Sequence, residues 1–231
     1  MGFISEDEQL RDRTGVFRNR NDAGEQLSLF LRTHCTLENS VICSIPAGGI
    51  PIGVILALAL DARLMLAVVR KIQIPWNTES GFGAVTWDGH TLINEDLVRK
   101  LHLSRAEISE ATESAKANVN ERIRKFSGSL TIPQITGRTV VLTDDGLASG
   151  YTMRAACIAL LRQNPSTLMV AVPTGSSSAV QLVAEVVDNL ICLNIRSGSS
   201  FAVADAYRSW HDLTDDEVHA QLEQVVNAGL F

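Results

Sequence analysis

The chain is poor in the features that would tie it to a metal-stapled, secreted or nucleic-acid-binding class. Its four cysteines, Cys35, Cys43, Cys157 and Cys192, are scattered, with no C-x-x-C and no Cys/His pairing. That spacing excludes a zinc ribbon or a disulfide framework and suits free thiols in a reducing compartment. His34, His90, His102, His211 and His219 show no ligand-like spacing either. Positive charge is short: 20 Lys and Arg stand against 26 Asp and Glu, a formal net charge of -6. A broad electrostatic grip on DNA, RNA or anionic lipid is therefore excluded, no helix-turn-helix is visible, and an anionic ligand would need a local pocket. Long apolar runs are missing, since the most apolar window, 50–69, is broken by Pro51, Asp61 and Arg63, so no membrane span is expected. The start MGFISEDEQLRDR lacks a basic segment followed by an apolar one, and Glu6 stands where myristoylation would want Ser or Thr. The expected location is the cytoplasm. No internal repeat or low-complexity tract is present.

What is there is a core and an alternation. The 231 residues are 45% apolar, enough for a large buried interior. Asn21 or Asp22 is positioned to cap a first helix carrying Leu27, Phe30 and Leu31 on one face. VICSI (41–45), a Gly-rich turn, an apolar helix over 51–60 and LMLAVV (64–69) read as a βαβ unit. TVVLT (139–143), a helix over 151–163, TLMVAVP (167–173), a helix over 177–187 and LICL (190–193) continue it. Strands alternating with helices imply a parallel sheet covered on both faces. Residues 73–136 differ in character, with an aromatic, Gly-rich start and a charged, helix-forming remainder, and read as an insert between two core segments, 1–72 and 137–231. Within it Asp88-Gly89 makes a hairpin turn, and Ser104 with Glu107 opens a long helix striped by Ile108, Ala111, Ala115, Val119, Ile123 and Phe126. Thr214 with Glu217 opens a terminal helix.

The chemistry concentrates at VVLTDDGLASGYT (140–152). Ligands of open α/β sheets sit beyond the carboxyl ends of strands, where Asp144 and Asp145 fall. Ala148, Ser149, Gly150, Tyr151 and Thr152 then turn into a helix N-terminus, whose free N–H groups and dipole favour a phosphate. One loop thus offers two carboxylates at one end and a phosphate cradle at the other, and a ribose 5-phosphate fits both. The plainer readings are a cap with a solvated turn, or an Mg²⁺-binding acid pair of another phosphotransfer fold.

The stretch resembles the phosphoribosyl-pyrophosphate (PRPP) motif of the type I phosphoribosyltransferases. PAGGIPIG (46–53) is similar to their pyrophosphate loop, in which glycines allow close backbone approach. VVRKIQIPWNTESGFGAV (68–85), FRNRNDAGEQL (17–27), FAVADAY and DDEV are similar to a branch of predicted phosphoribosyltransferases of unassigned substrate, over nearly the whole chain. Asn19, where that branch has an acid, and AYRSW (206–210) depart from it. The resemblance implies an α/β fold, a Rossmann-like parallel-sheet core with 73–136 as a hood or lid. It implies Mg²⁺-dependent transfer of ribose 5-phosphate from PRPP to an unidentified acceptor with release of pyrophosphate. Asp144 and Asp145 would hold the ribose hydroxyls, directly or through Mg²⁺; residues 148–152 would bind the 5′-phosphate; Ala47, Gly48, Gly49, Arg70 and Lys71 would bind pyrophosphate, with Lys71 in the catalytic set. Ala148 stands where purine-salvage members carry an Asp base, which argues against a hypoxanthine or guanine acceptor.

Some residues keep two readings. Arg20 either reaches the site or forms a surface salt bridge, and is left outside the catalytic set. Trp76, Phe82 and Trp87 either stack on the acceptor or form the insert's own core, and Glu79 either binds the acceptor or caps a turn. A PRPP- or nucleotide-sensing regulator without turnover is the alternative to the enzyme, and a phosphohydrolase using Asp144 as nucleophile is a third reading. Oligomeric state, a homo-oligomer included, stays open.

Overall fold

The computed structural model of the protein describes residues 2–127, 134–198 and 200–231. Apolar strands that alternate with helices should pair in parallel, and they do. β1 (Phe3–Ser5), β2 (Ser40–Ser44), β3 (Arg63–Leu66), β7 (Thr139–Thr143), β8 (Thr167–Ser176) and β9 (Asn189–Arg196) form one six-stranded sheet in the order β1-β9-β8-β7-β2-β3. Every pairing is parallel. Side chains on successive strand positions point to opposite faces, and both faces are buried. Ile42, Val141, Met169 and Ile191 enter one core, while Val41, Cys43, Val140, Val170 and Cys192 enter the other.

The first face is covered by α1 (Arg20–His34), α2 (Gly49–Leu60) and α7 (Asp215–Asn227), the second by α5 (Tyr151–Leu161) and α6 (Ser177–Ala184). α2 is apolar around most of its circumference because α1 and α7 pack against it above the sheet, which leaves little of it in water. The cap of α1 is Asn19, whose side chain accepts from Asp22 N–H at 3.0 Å. This displaces the expected cap at Asn21 or Asp22 and makes Arg20 the first helical residue. The Thr214/Glu217 capping box opens α7 as expected. The cysteines are unpaired. β1 pairs beside β9 from a polar stretch with no apolar alternation to announce it.

LMLAVV is not one strand. β3 stops at Leu66, and β4 (Val69–Ile74) joins a separate antiparallel sheet with β5 (Asn77–Thr86) and β6 (Thr91–Ile93). The Asp88-Gly89 hairpin turn lies between β5 and β6, with Gly89 at φ +79. α3 (Glu95–Lys100) follows, capped by Asn94, and then α4 (Arg105–Ser127), where Ser104 and Glu107 form the expected capping box. Ala115, Val119 and Phe126 of α4 pack with Ile72, Phe82 and Val85 of the small sheet. Residues 128–133 of the segment set apart in the sequence lie outside the described residues.

Candidate functional site

In a parallel sheet the deepest crevice opens where neighbouring strands send the chain to opposite faces. β2 and β7 are such neighbours, with Ser44 in register with Thr143. From β2 the chain leaves to α2 on one face, and from β7 to α5 on the other. The two loops meet over that point. A Cβ on Gly48 would overlap the Asp145 carboxylate, and one on Gly49 would lie 2.9 Å from Asp144 Cα and 3.0 Å from the Thr143 carbonyl oxygen. Only glycine permits that approach. The preceding Pro46–Ala47 peptide is cis.

Burial governs the acid pair. It pushes the Asp144 carboxyl well above the usual carboxylate range; the neighbouring Asp145 charge adds to this, while the Asp145 N–H, donating to Asp144 Oδ1 at 2.8 Å, opposes it. Burial also raises Asp145, but Arg20 works against it, its Nε donating to Asp145 Oδ2 at 3.0 Å. Arg20 also donates through Nη1 to the His211 carbonyl at 2.9 Å, and its guanidinium lies 3.8 Å from the centroid of the Trp210 ring. The Tyr207 hydroxyl donates to the Asp145 carbonyl at 2.6 Å, and burial with the nearby Asp145 charge holds that phenol well above its ordinary pKa. Of the two readings the sequence leaves for Arg20, the structure shows it paired with the buried acid pair and not at the surface. Its partners sit 125 and more residues away, so its neighbourhood was not readable. The only local signal was its place in FRNRND.

The far end of the loop is a backbone cradle. Leu147 N–H donates to the Thr174 carbonyl at 2.9 Å, Ser176 N–H to the Leu147 carbonyl at 2.9 Å, and Ser176 Oγ to the Ala148 carbonyl at 2.8 Å. These bonds fasten the loop to the end of β8. Gly150 takes φ +77 as the cap of α5, with no side chain satisfying the first turn. Among the described residues, the N–H groups of Ala148, Ser149, Gly150, Tyr151 and Thr152 have no hydrogen-bond partner. Five open donors at a helix start suit an anion.

Arg70 and Lys71 are placed differently from the strand end read in the sequence. They lie within β4 and line a cleft of about 450 Å³ with Glu107, Glu110 and Asn118 of α4; its walls include none of 47–49 or 144–152. A second hollow of about 370 Å³ lies beside the cradle, between Tyr151 and Arg154 of α5 and Gly83, Ile93 and Asn94 in and after the small sheet. Phe82 is wholly buried in the core that also takes Ile42 and Val141 of the main sheet, Trp87 is half-buried, and Trp76 is 62% exposed. The side chain of Glu79 lies outside what the structure describes.

Residues 89–206, just over half of the chain, match the family described as the phosphoribosyl transferase domain. The chain belongs to that family. The chain is also 34% identical over 209 residues to proteins from two strains of Mycobacterium tuberculosis, each named a putative phosphoribosyl transferase with no acceptor given. That similarity covers 90% of this chain and 47% of theirs, so the chain spans about half the length of the curated relatives it matches. The crystal structure of TT1426 from Thermus thermophilus superposes with a TM-score of 0.72 at 29% identity, covering 89% of this chain and 97% of that one. The family match takes in the Asp144-Asp145 loop and the cradle; the Gly48-Gly49 turn and Arg20 lie outside it and join the site by geometry.

Proposed function

We propose that the domain transfers ribose 5-phosphate from PRPP to an acceptor, releasing pyrophosphate, and that it acts in the cytoplasm, where its free thiols persist. The observation that carries this reading is the loop geometry: the Gly48-Gly49 backbone closes on the buried acid pair, and five open amides follow within the same strand-to-helix corner. The cradle amides hold the 5′-phosphate with the help of the α5 dipole. Asp144 and Asp145 accept from the ribose hydroxyls. As pyrophosphate leaves C1, positive charge grows on the sugar, and the fixed carboxylates favour that charge over the neutral ground state. The amides of the Gly48-Gly49 turn receive the departing pyrophosphate. Arg70 and Lys71 reach it from β4 when the small sheet moves toward the crevice, and the segment 73–136 serves as the hood that keeps water from the reacting centre.

Mg²⁺ fits this donor set. Two buried carboxylates, both raised by burial and both facing the Arg20 cation, leave more negative than positive charge there. Among the described residues no cluster of three or more metal-ligating side chains exists, which suits an ion held mostly by substrate oxygens and water. Asp144 and Asp145 would hold it, and it would offset charge on the leaving pyrophosphate.

The test is pyrophosphate release from PRPP and Mg²⁺ across a panel of nucleobases and amines. Release with one acceptor class supports the transferase. Tight PRPP uptake with no turnover on any acceptor supports the sensing alternative, and phosphate release in place of pyrophosphate supports a hydrolase.

A further inference from the structure

We infer that Arg20 is a positioning residue of the transferase site, acting through Asp145, and that the segment 206–211 is the clamp that holds it. The inference rests on the transferase reading above and adds to it a part drawn from both ends of the chain.

The guanidinium is held on three sides. Its Nε meets Asp145 Oδ2 at 3.0 Å, its Nη1 meets the His211 carbonyl at 2.9 Å, and one face lies on the Trp210 ring at 3.8 Å. The side chain is only 9% exposed. A planar fork can satisfy all three partners at once, and a lysine ammonium cannot. Asn19 caps α1, so the Arg20 backbone is fixed as well. The clamp is fastened to the same segment by main-chain bonds: Arg208 N–H donates to the Phe17 carbonyl at 2.8 Å, and Ser209 N–H to the Arg18 carbonyl at 2.9 Å. Phe17 is fully buried with its ring 5.6 Å from that of Tyr207. Arg20 and Trp210 therefore move together or not at all.

Asp145 is constrained from the other side too. Tyr207 holds its carbonyl at 2.6 Å, and the bare backbone of Gly48 lies against its carboxylate. Asp144 is held by the Asp145 N–H at 2.8 Å and by the hydrogen bond its carboxyl shares with that of Asp145. Buried ion pairs add little net stability compared with apolar replacements, whereas a fixed carboxylate orientation is what stabilisation of a developing sugar cation requires. Asp145 thus supplies a reference that Arg20 sets, and Asp144, bonded to Asp145 through backbone and side chain, takes its place from it.

A double-mutant cycle tests this, using Arg20→Met, Asp145→Asn and the two combined, with Arg20→Lys as the variant that keeps the charge. Misplacing a catalytic group by about 1 Å costs roughly 100-fold. The expected result for Arg20→Met is a kcat drop of that order, with the KM for PRPP changed by less than about fivefold. Added to Asp145→Asn, it should cost nothing further, because residues acting as a unit are non-additive. Arg20→Lys should recover no more than about a tenth of wild-type kcat, since charge returns without the fork. Multiplicative losses in the double variant, or Arg20→Met with unchanged kcat and only a lower melting temperature, would overturn the inference while leaving the transferase intact. If the wild type binds PRPP without turnover, the same cycle is read on the calorimetric Kd, where additivity again overturns it. A wild-type protein that takes up no PRPP sinks the transferase reading, and this inference with it.

Discussion

At Gly48 a single missing carbon lets main chain and carboxylate occupy neighbouring space, so Gly48→Ala should push the Asp145 carboxylate off its Arg20 partner. The expected outcome is a loss of kcat of about 100-fold with a stability cost of about 1–3 kcal/mol from overpacking, read by pyrophosphate release and thermal melting. Asp144 points the other way. Its carboxyl is raised in the folded state, chiefly by burial, so the folded protein binds that proton more tightly than the unfolded chain does. Its contribution is most favourable below the ordinary carboxylate value of about 4 and declines as pH rises toward the elevated folded value. Asp144→Asn cannot ionise and escapes that decline. Its melting temperature relative to wild type should therefore climb between pH 4 and pH 8, while transferase activity is lost; a flat difference across that range would refute the assignment of burial as the dominant cause. At this scale the acid pair and the small-residue cradle were legible, because a strand end, a helix start and their open amides are local. Arg20 was not. Its role is decided by Asp145 and His211, which no spacing within FRNRND can announce.

Among the elements, helix starts were the most legible where a side chain caps its own turn. Ser104 with Glu107 and Thr214 with Glu217 close reciprocal hydrogen bonds within four residues of sequence. The stripe on α4 was also readable, since Ala115, Val119 and Phe126 recur at helical spacing and all three are buried. The break after Leu66 was not readable, because Ala67 and Val68 continue the apolar run and both are buried. An apolar run reports burial, and says nothing about which sheet does the burying. That break carries Arg70 and Lys71 into the small sheet, where they line a cleft with α4. Phe82 is the element-scale anchor of the small sheet, wholly buried in the core to which Ile72, Val85 and the α4 residues Ala115, Val119 and Phe126 also belong. Phe82→Ala should destabilise by about 3–5 kcal/mol. Hydrogen exchange should then show β4, β5 and α4 opening before the six-stranded sheet.

For the whole molecule, the site exists because β2 and β7 are adjacent in the sheet and their following helices lie on opposite faces. A ligand bound there touches both halves of the crevice and stabilises the native state by mass action. PRPP with Mg²⁺ at about 100 times its dissociation constant should add about 2.7 kcal/mol, a rise in melting temperature of about 5–10 °C for a domain of this size. No shift under those conditions would count against uptake at the crevice. The amino-acid order alone determined that this chain builds a covered parallel sheet, that an acid pair and a small-residue turn follow one of its strands, and that no long apolar helix was to be expected, because periodicity and turn chemistry act over a few residues. Only the tertiary structure decided that Arg20 and the 206–211 clamp complete the acid pair, that Gly48 packs on Asp145, and that Arg70 and Lys71 leave the main sheet. Each of those depends on contacts between distant segments, which form only when burial of both sheet faces brings the chain ends together.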